Sequence, residues 1–428
     1  MKCIEDEIPF DVPEGWAWIR LASILSLSSG KSIKVRQLTD EGEYPVYGGN
    51  GINGTYFDYN VEANTIIIGR VGYYCGSVYK TTSKAWVTDN ALIATVKELG
   101  IFEVDFLVEI LKYLNLGKTS VSTAQPVVSG KGILPLIIPV PPKNEQFNIL
   151  QSYNQIILTL NILEKDKEEA LSLIATTKSK ILDLAIRGQL VPQNPNDEPA
   201  SVLLECIRVE KKELIKQGKI KRDKKESIIF KGEDNSYYQQ TGMLVENLDN
   251  WELENIPDNW ELCCLGELCD YGNCINVDTK NISDEAWILD LEDIEKDSGR
   301  VLQKIRKFER ESFSTKHLFH KGQVLYSKLR PYLNKVVIAD EDGFCTSEIL
   351  PLDFSDVVEP QYALLYLMSP TFLKYANRCS YGVKMPRLGT ADGKKAVFPL
   401  PPIEEQKRII QQVSIILTKL DIISNALL

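Results

Sequence analysis

The residue types that could do chemistry in this chain are few, and their spacing is poor for catalysis. The two histidines, His317 and His320, stand three apart. That spacing could hold a metal, but the nearest third ligand in sequence is the distant Cys345, so no metal site is expected. Cys264, Cys269 and Cys274 recur every five residues, which fits neither a zinc knuckle nor a redox pair. Gly30-Lys31-Ser32 resembles the end of a phosphate-binding loop, but Leu25 stands where the first glycine is needed. Asn194-Pro195-Asn196 lacks the second proline and the aromatic ring of an amino-methyltransferase loop. A chain without a nucleotide, methyl-donor or nuclease motif reads as a binding protein rather than an enzyme.

The elements that would position a binding surface are duplicated. Val12-Pro13-Glu14-Gly15-Trp16 returns 244 residues later as Ile256-Pro257-Asp258-Asn259-Trp260. In each, proline fixes the entry and tryptophan is expected to anchor a core. Ile138-Pro139-Val140-Pro141-Pro142-Lys143-Asn144-Glu145-Gln146 returns at +260 as Phe398-Pro399-Leu400-Pro401-Pro402-Ile403-Glu404-Glu405-Gln406. The prolines cannot sit inside a helix, and Glu/Gln then opens one.

The helices that follow share a heptad seam: Ile149, Tyr153, Ile156, Leu160 and Leu163 in the first, Ile409, Val413, Ile416, Leu420 and Ile423 in the second. A seam this narrow wants one partner helix, so the two repeats are expected to pack on each other. The first helix runs on through Leu171, Ile174, Ile181, Leu184 and Ala185 to a stop at Gly188, with further helix from Ser201 to about Gln217. Lys219 to Lys225 reads as a basic connector, and 226–250 as a linker.

Between the repeated ends lie two divergent blocks of mixed strand and helix, about 16–138 and 260–398. A faint match survives at +258: Ile66-Ile67-Ile68-Gly69-Arg70-Val71 against Val324-Leu325-Tyr326-Ser327-Lys328-Leu329, Tyr74 against Tyr332, Thr88 against Thr346. The expected class is α+β: two mixed α/β domains separated by long antiparallel coiled-coil helices, with a pseudo-two-fold internal repeat. The segments are 1–142, first domain; 143–225, central helical spacer and connector; 226–402, linker plus second domain; 403–428, a short C-terminal spacer helix.

Composition narrows the class. Hydrophobic residues make up 44% and charged residues 25%, ordinary for a globular chain. No apolar run is long enough to cross a bilayer, and Met1-Lys2-Cys3-Ile4 opens no signal pattern, so a cytoplasmic location is expected. The adjacent Cys263-Cys264 suits reduced core thiols better than a disulfide framework. A net charge of −10 argues against a generic nucleic-acid binder. Yet Arg300 to Lys335 holds ten lysines and arginines against Glu309 and Glu311, either a solvated face or a phosphate-binding surface.

Taken together, these residues resemble the specificity subunits of type I restriction-modification systems. The resemblance rests on both Pro-x-Pro-Pro-x-x-Glu-Gln boundaries, on Lys180-Ile181-Leu182-Asp183-Leu184-Ala185-Ile186-Arg187-Gly188-Gln189-Leu190-Val191, and on Asp197-Glu198-Pro199-Ala200-Ser201. Tyr47-Gly48-Gly49-Asn50-Gly51-Ile52-Asn53-Gly54 and Gly322-Gln323-Val324-Leu325-Tyr326-Ser327-Lys328-Leu329-Arg330-Pro331-Tyr332-Leu333-Asn334-Lys335 are similar to openings of target recognition domains.

The resemblance implies a non-catalytic subunit whose two target recognition domains each read half of a split site in double-stranded DNA. The helices would serve as ruler and as platform for two methyltransferase (modification) subunits acting on adenine N6, and a restriction/translocase subunit would join them. S-adenosylmethionine, ATP and Mg would bind those partners, and no cofactor or metal this chain. Candidate DNA-binding residues are Asn50, Asn53, Arg70, Tyr73 and Tyr74 in the first domain. In the second they are Lys328, Arg330, Tyr332, Asn334 and Lys335, with Lys384 and Arg387 as phosphate contacts. The rival readings are a single-chain DNA-modifying enzyme with an unrecognised site and a coiled-coil protein scaffold.

Overall fold

The computed structural model describes residues 4–97, 100–120, 126–218, 226–248, 256–310, 314–354 and 357–428. The basic connector Lys219 to Lys225 lies outside the described residues. The chain divides into two units, Met1–Lys165 and Asp166–Leu428.

The first strand of the N-terminal unit, Ala17–Arg20, pairs antiparallel with Ile137–Val140, so the two ends of the domain meet in one ribbon. Inside lies a four-stranded antiparallel sheet in the order Leu25–Ser29, Ala91–Val96, Ile66–Gly69, Val78–Lys80. A second, three-stranded sheet holds Gly51–Tyr56, Tyr44–Gly48 and Trp86–Val87. Strand Ile66–Gly69 is buried throughout, as an unbroken apolar run requires. Ile66 and Ile68 pack with Leu107 and Leu111 of helix Val104–Tyr113, while Ile67 faces Tyr47 and Val87 of the smaller sheet. Trp16, expected to anchor the core, is only half-buried.

The C-terminal unit repeats the plan. Strand Glu261–Cys264 pairs antiparallel with Val397–Leu400. Val324–Ser327 is the buried central strand: Val324 and Tyr326 point into one core, Leu325 into another. The faint +258 match proves to be a shared hydrogen-bond register. Ile66 pairs with Lys80 and Ala94; Val324 pairs with Ile338 and Leu352, each 258 residues on. Here Trp260 is buried, edge-on to Tyr362.

Both units fasten the foot of their helix with one buried amide. Gln146 accepts from the Glu103 N–H (3.0 Å) and donates to the Ile101 and Pro141 carbonyls. Gln406 accepts from the Glu359 N–H (2.9 Å) and donates to the Val357 and Pro401 carbonyls. The Glu-Gln that signalled a helix start is thus also a clamp between helix and domain.

The central helix spans Lys143–Ile186, 44 residues, and the terminal helix Ile403–Leu427, 25 residues. Within the C-terminal unit the two run antiparallel. Arg408 pairs with Asp197 and Gln193 donates to Glu405 at one end; Lys178 pairs with Asp421, and Lys167 reaches the Leu428 carbonyl at the other. Ile409 and Val413 share one buried core with Ile181, Leu182, Ala185 and Ile186 near the end of the central helix. This corrects the expected seam. Ile156, Leu160 and Leu163 stay exposed, and so does Ile423 of the terminal helix. The terminal helix starts beside the end of the central one, so its length takes it back only to about Lys167. Gly188 ends the central helix as expected, at φ +68°, where a Cβ would collide with the Pro257 ring.

Residues read as a linker form a three-stranded meander instead: Ser227–Lys231, Tyr237–Thr241 and Leu244–Asn247. Ile229 joins the core and Gln239 donates to the Lys395 carbonyl. Only Ser227–Lys231, with Ile228, Ile229 and Phe230, carries an apolar signal; the other two strands are mostly polar, and the sheet gains stability by packing on a neighbour. Among the described residues no helix is long and apolar enough to cross a membrane.

Replacing Gln406 with leucine should strand one half-buried N–H and two carbonyls, at a cost of about 3 kcal/mol. Urea unfolding should show the C-terminal unit's transition move while the N-terminal one stays; Q146L should do the reverse. A shift below ~0.5 kcal/mol in both would contradict the clamp.

Candidate nucleic-acid interface

The site begins at the end of each unit's buried central strand. Gly69 donates its N–H to Ser77 O, and Ser327 donates to Lys335 O, closing two turns of equal length 258 residues apart. Each turn has a left-handed residue at the same place: Gly72 at φ +95° and Arg330 at φ +50°. Glycine adopts this freely; arginine does so at a cost of roughly 1 kcal/mol, a strain of the kind that clusters at working sites.

A second segment braces each turn in the same way. The Gly72 N–H donates to Pro126 O and the Val128 N–H to Arg70 O. In the other unit the Arg330 N–H donates to Pro386 O and the Leu388 N–H to Lys328 O. Bridges Val71↔Val127 and Leu329↔Arg387 complete the match. The motif Pro126-Val127-Val128 against Pro386-Arg387-Leu388, at +260, was the available sequence signal for this brace.

On this frame Arg70 and Lys328 occupy equivalent positions, both half-buried, with the Arg70 guanidinium 3.4 Å from Ser29 Oγ. Tyr73 and Tyr74 stand out from the first turn, 90% and 50% exposed, packed edge to face. Tyr332, the counterpart of Tyr74, is also exposed. The Nε of Arg330 is buried without a hydrogen-bond partner among the described residues. Asn50 and Asn53 are exposed on the hairpin of the smaller sheet, where Asn50 lines an open cleft with Tyr47, Ile52, Tyr79 and Lys80. The Asn53 amide lies where a Cβ on Gly48 would stand. Lys384 is exposed at the tip of the hairpin formed by Ser380–Tyr381 and Arg387–Leu388.

Three candidates are committed elsewhere. Asn334 is buried and donates to the Met368 carbonyl; its φ of +48° marks it as a turn residue. Lys335 donates to the Leu291 carbonyl at 2.6 Å. Arg387 grips both oxygens of Glu348 and donates to the Met385 carbonyl. These three hold the turn and its brace in shape, so they are corrections to the list of DNA contacts.

The positive run from Arg300 to Lys335 is largely neutralised by carboxylates outside it. Arg300 pairs with Glu295, Lys304 with Asp340, Arg306 with Glu341 and Lys307 with Asp284. Arg310 binds Asp290, Glu292 and buried Asp293, and Lys316 binds Asp290. Burial opposes the charge on Asp293, but the hydrogen bonds from Arg310, the Asp290 N–H and Gln303 outweigh it and hold that carboxyl below its usual range. The run is thus mainly internal ion pairing, which a count along the sequence could not reveal.

Among the described residues no cluster of three histidines, cysteines or carboxylates could hold a metal ion. His317 is buried, with Nδ1 2.9 Å from the Ile349 carbonyl, and cross-strand from Cys345, whose thiol donates to that same carbonyl. His320 is exposed and faces Asp342. Burial pushes the Cys264 thiol up to about 12 and raises Cys263 well above its ordinary value, so these are inert core groups.

The duplication is also seen in comparison with known proteins. The family model described as type I restriction modification DNA specificity domain matches residues 13–173 and again 257–427. The chain is similar to the Type I restriction enzyme EcoDI specificity subunit of Escherichia coli, 22% identical over 421 residues, covering 94% of this chain and 81% of that one. The EcoAI specificity subunit of the same organism is 31% identical over 248 residues, 55% of this chain and 38% of that one. In fold it is similar to the HsdS subunit from Thermoanaerobacter tengcongensis, with a TM-score of 0.55 at 14% identity, over 99% of this chain and 94% of that one. Two separate matches to one domain, together covering most of the sequence and both strand ribbons, mean that the chain belongs to the type I restriction-modification specificity subunits.

Proposed function

We propose that each unit's braced turn reads one half of a split DNA target, and that the chain recruits the enzyme that modifies it. The observation that carries this reading is the duplicated turn and brace: one backbone frame, built twice, presenting different side chains. Arg70, Tyr73 and Tyr74 are the contacts of the first turn, with Asn50 and Asn53 beside them. Lys328, Arg330 and Tyr332 are those of the second, with Lys384. Arginine and lysine suit guanine O6/N7 and asparagine suits adenine, each good pair discriminating by ~1–3 kcal/mol. The −10 net charge makes the isolated chain a weak DNA binder, so affinity depends on basic surface from a partner.

The partners are two methyltransferase subunits that methylate adenine N6, and a restriction/translocase subunit. S-adenosylmethionine, ATP and Mg belong to them, and the assembly works in the cytoplasm. The first part of the central helix is the docking strip. Tyr153, Ile156, Ile157, Leu158, Leu160, Ile162 and Leu163 are all exposed there, a clustering of apolar side chains that suits a partner surface.

Exchanging residues 16–138 for the corresponding block of another specificity subunit should change one half of the methylated sequence and leave the other. A change in both halves, read by methylation mapping, would refute independent reading. L160D/L163D should abolish co-purification of the methyltransferase without lowering the melting temperature, since both side chains are exposed. Undiminished co-purification would move docking elsewhere.

A further inference from the structure

We infer that the hairpin tip Tyr381–Met385 is a base-reading finger of the second unit, with Val383 and Met385 meeting thymine methyl groups in the major groove. The inference rests on the DNA-reading assignment and goes beyond it, because it adds an apolar contact to a surface so far described by its polar groups.

The tip is unusual in three respects. Val383 is fully exposed, and Tyr381 and Met385 are exposed beside it, so three apolar side chains crowd one five-residue tip. Single exposed apolar residues are ordinary, but a cluster at a projecting tip leaves apolar surface in water without benefit to the fold. The tip is also held rigidly. A two-rung hairpin is unstable alone. This one is fixed at its base by the Arg387–Glu348 fork, the Arg387 bond to the Met385 carbonyl, the Arg330 N–H on Pro386 O and the Ser380 hydroxyl on Ala376 O. Gly382, at φ +100°, makes the turn possible. Finally, the charge fits DNA. Lys384 stands exposed at the tip, and Ser380 to Leu388 holds no carboxylate; the charge of Arg387 is met by Glu348 at the base. The Tyr326 to Lys335 segment to which it is tied likewise has three cations and no carboxylate.

A protein partner would find one small tip with positive charge around it. A duplex offers phosphates for Lys384 and a groove that admits a two-stranded ribbon, with thymine methyls as the apolar feature on its floor. The brace seen in both units thus does two jobs here: it holds the turn, and it carries its own contact into the groove.

The test uses the full chain with its methyltransferase and a duplex library randomised across the target. V383S/M385S should fold and melt as the parent does, because the side chains it changes are outside the core. It should lose preference for thymine at one or two positions of a single half-site, by about fourfold each, the equivalent of ~0.8 kcal/mol for one buried methyl-sized group. Uracil in place of thymine at those positions should cost the parent the same factor and the variant nothing. Identical selection by parent and variant overturns the inference, as does a uniform loss across all sequences or a change in both half-sites. A parent complex that selects no sequence at all sinks the DNA-reading assignment, and this inference with it.

Discussion

A buried carboxamide at the foot of each spacer helix sets the geometry on which the rest depends. Gln146 and Gln406 each bind three backbone groups, joining the helix start, the proline boundary and the loop before the domain's last helices. The prolines keep the boundary from bending into the helix, and the amide stops it from swinging. Each domain is thereby held at a fixed angle to its own helix. Without that constraint a recognition surface would be tethered but not aimed, and a split target demands aim.

The repeat is kept in the backbone frame and abandoned in the side chains that the frame carries. The hydrogen-bond register of the central strands, the closure of the turns and the brace behind them agree across the halves to the residue. The side chains on that frame do not. The second unit places Arg330 where the first has Gly72, and accepts a strained backbone to put a guanidinium there. It also builds a fixed hairpin beside the turn, tied by the Arg387–Glu348 fork. One frame with two decorations is what reading two unlike half-sites requires.

Much of this was legible in the sequence, and the failures share a cause. Fold class, repeat boundaries, the stop at Gly188 and the +258 strand match follow from local patterns: proline position, heptad spacing and an apolar run. What was missed depends on pairing across distance. The positive run from Arg300 looked available because its carboxylate partners lie outside it, at Asp284, Glu295, Asp340 and Glu341. Asn334, Lys335 and Arg387 looked like contacts because residue type is visible and hydrogen-bond partners are not. The seam from Ile149 to Leu163 has the right period, but the central-helix residues that share a core with the terminal helix are Ile181 to Ile186, near where the terminal helix begins. The meander at 227–247 escaped because its burial is supplied by neighbours.

In the proposed reading, this one chain dictates which split DNA sequence its system modifies. Genome-wide adenine-methylation mapping with and without the gene tests it most directly, with the companion methyltransferase gene left intact. One bipartite motif is expected, two short blocks around an unread gap, methylated when the gene is present and unmethylated when it is deleted. Persistence of that motif after deletion, or loss of a continuous motif instead, would contradict it.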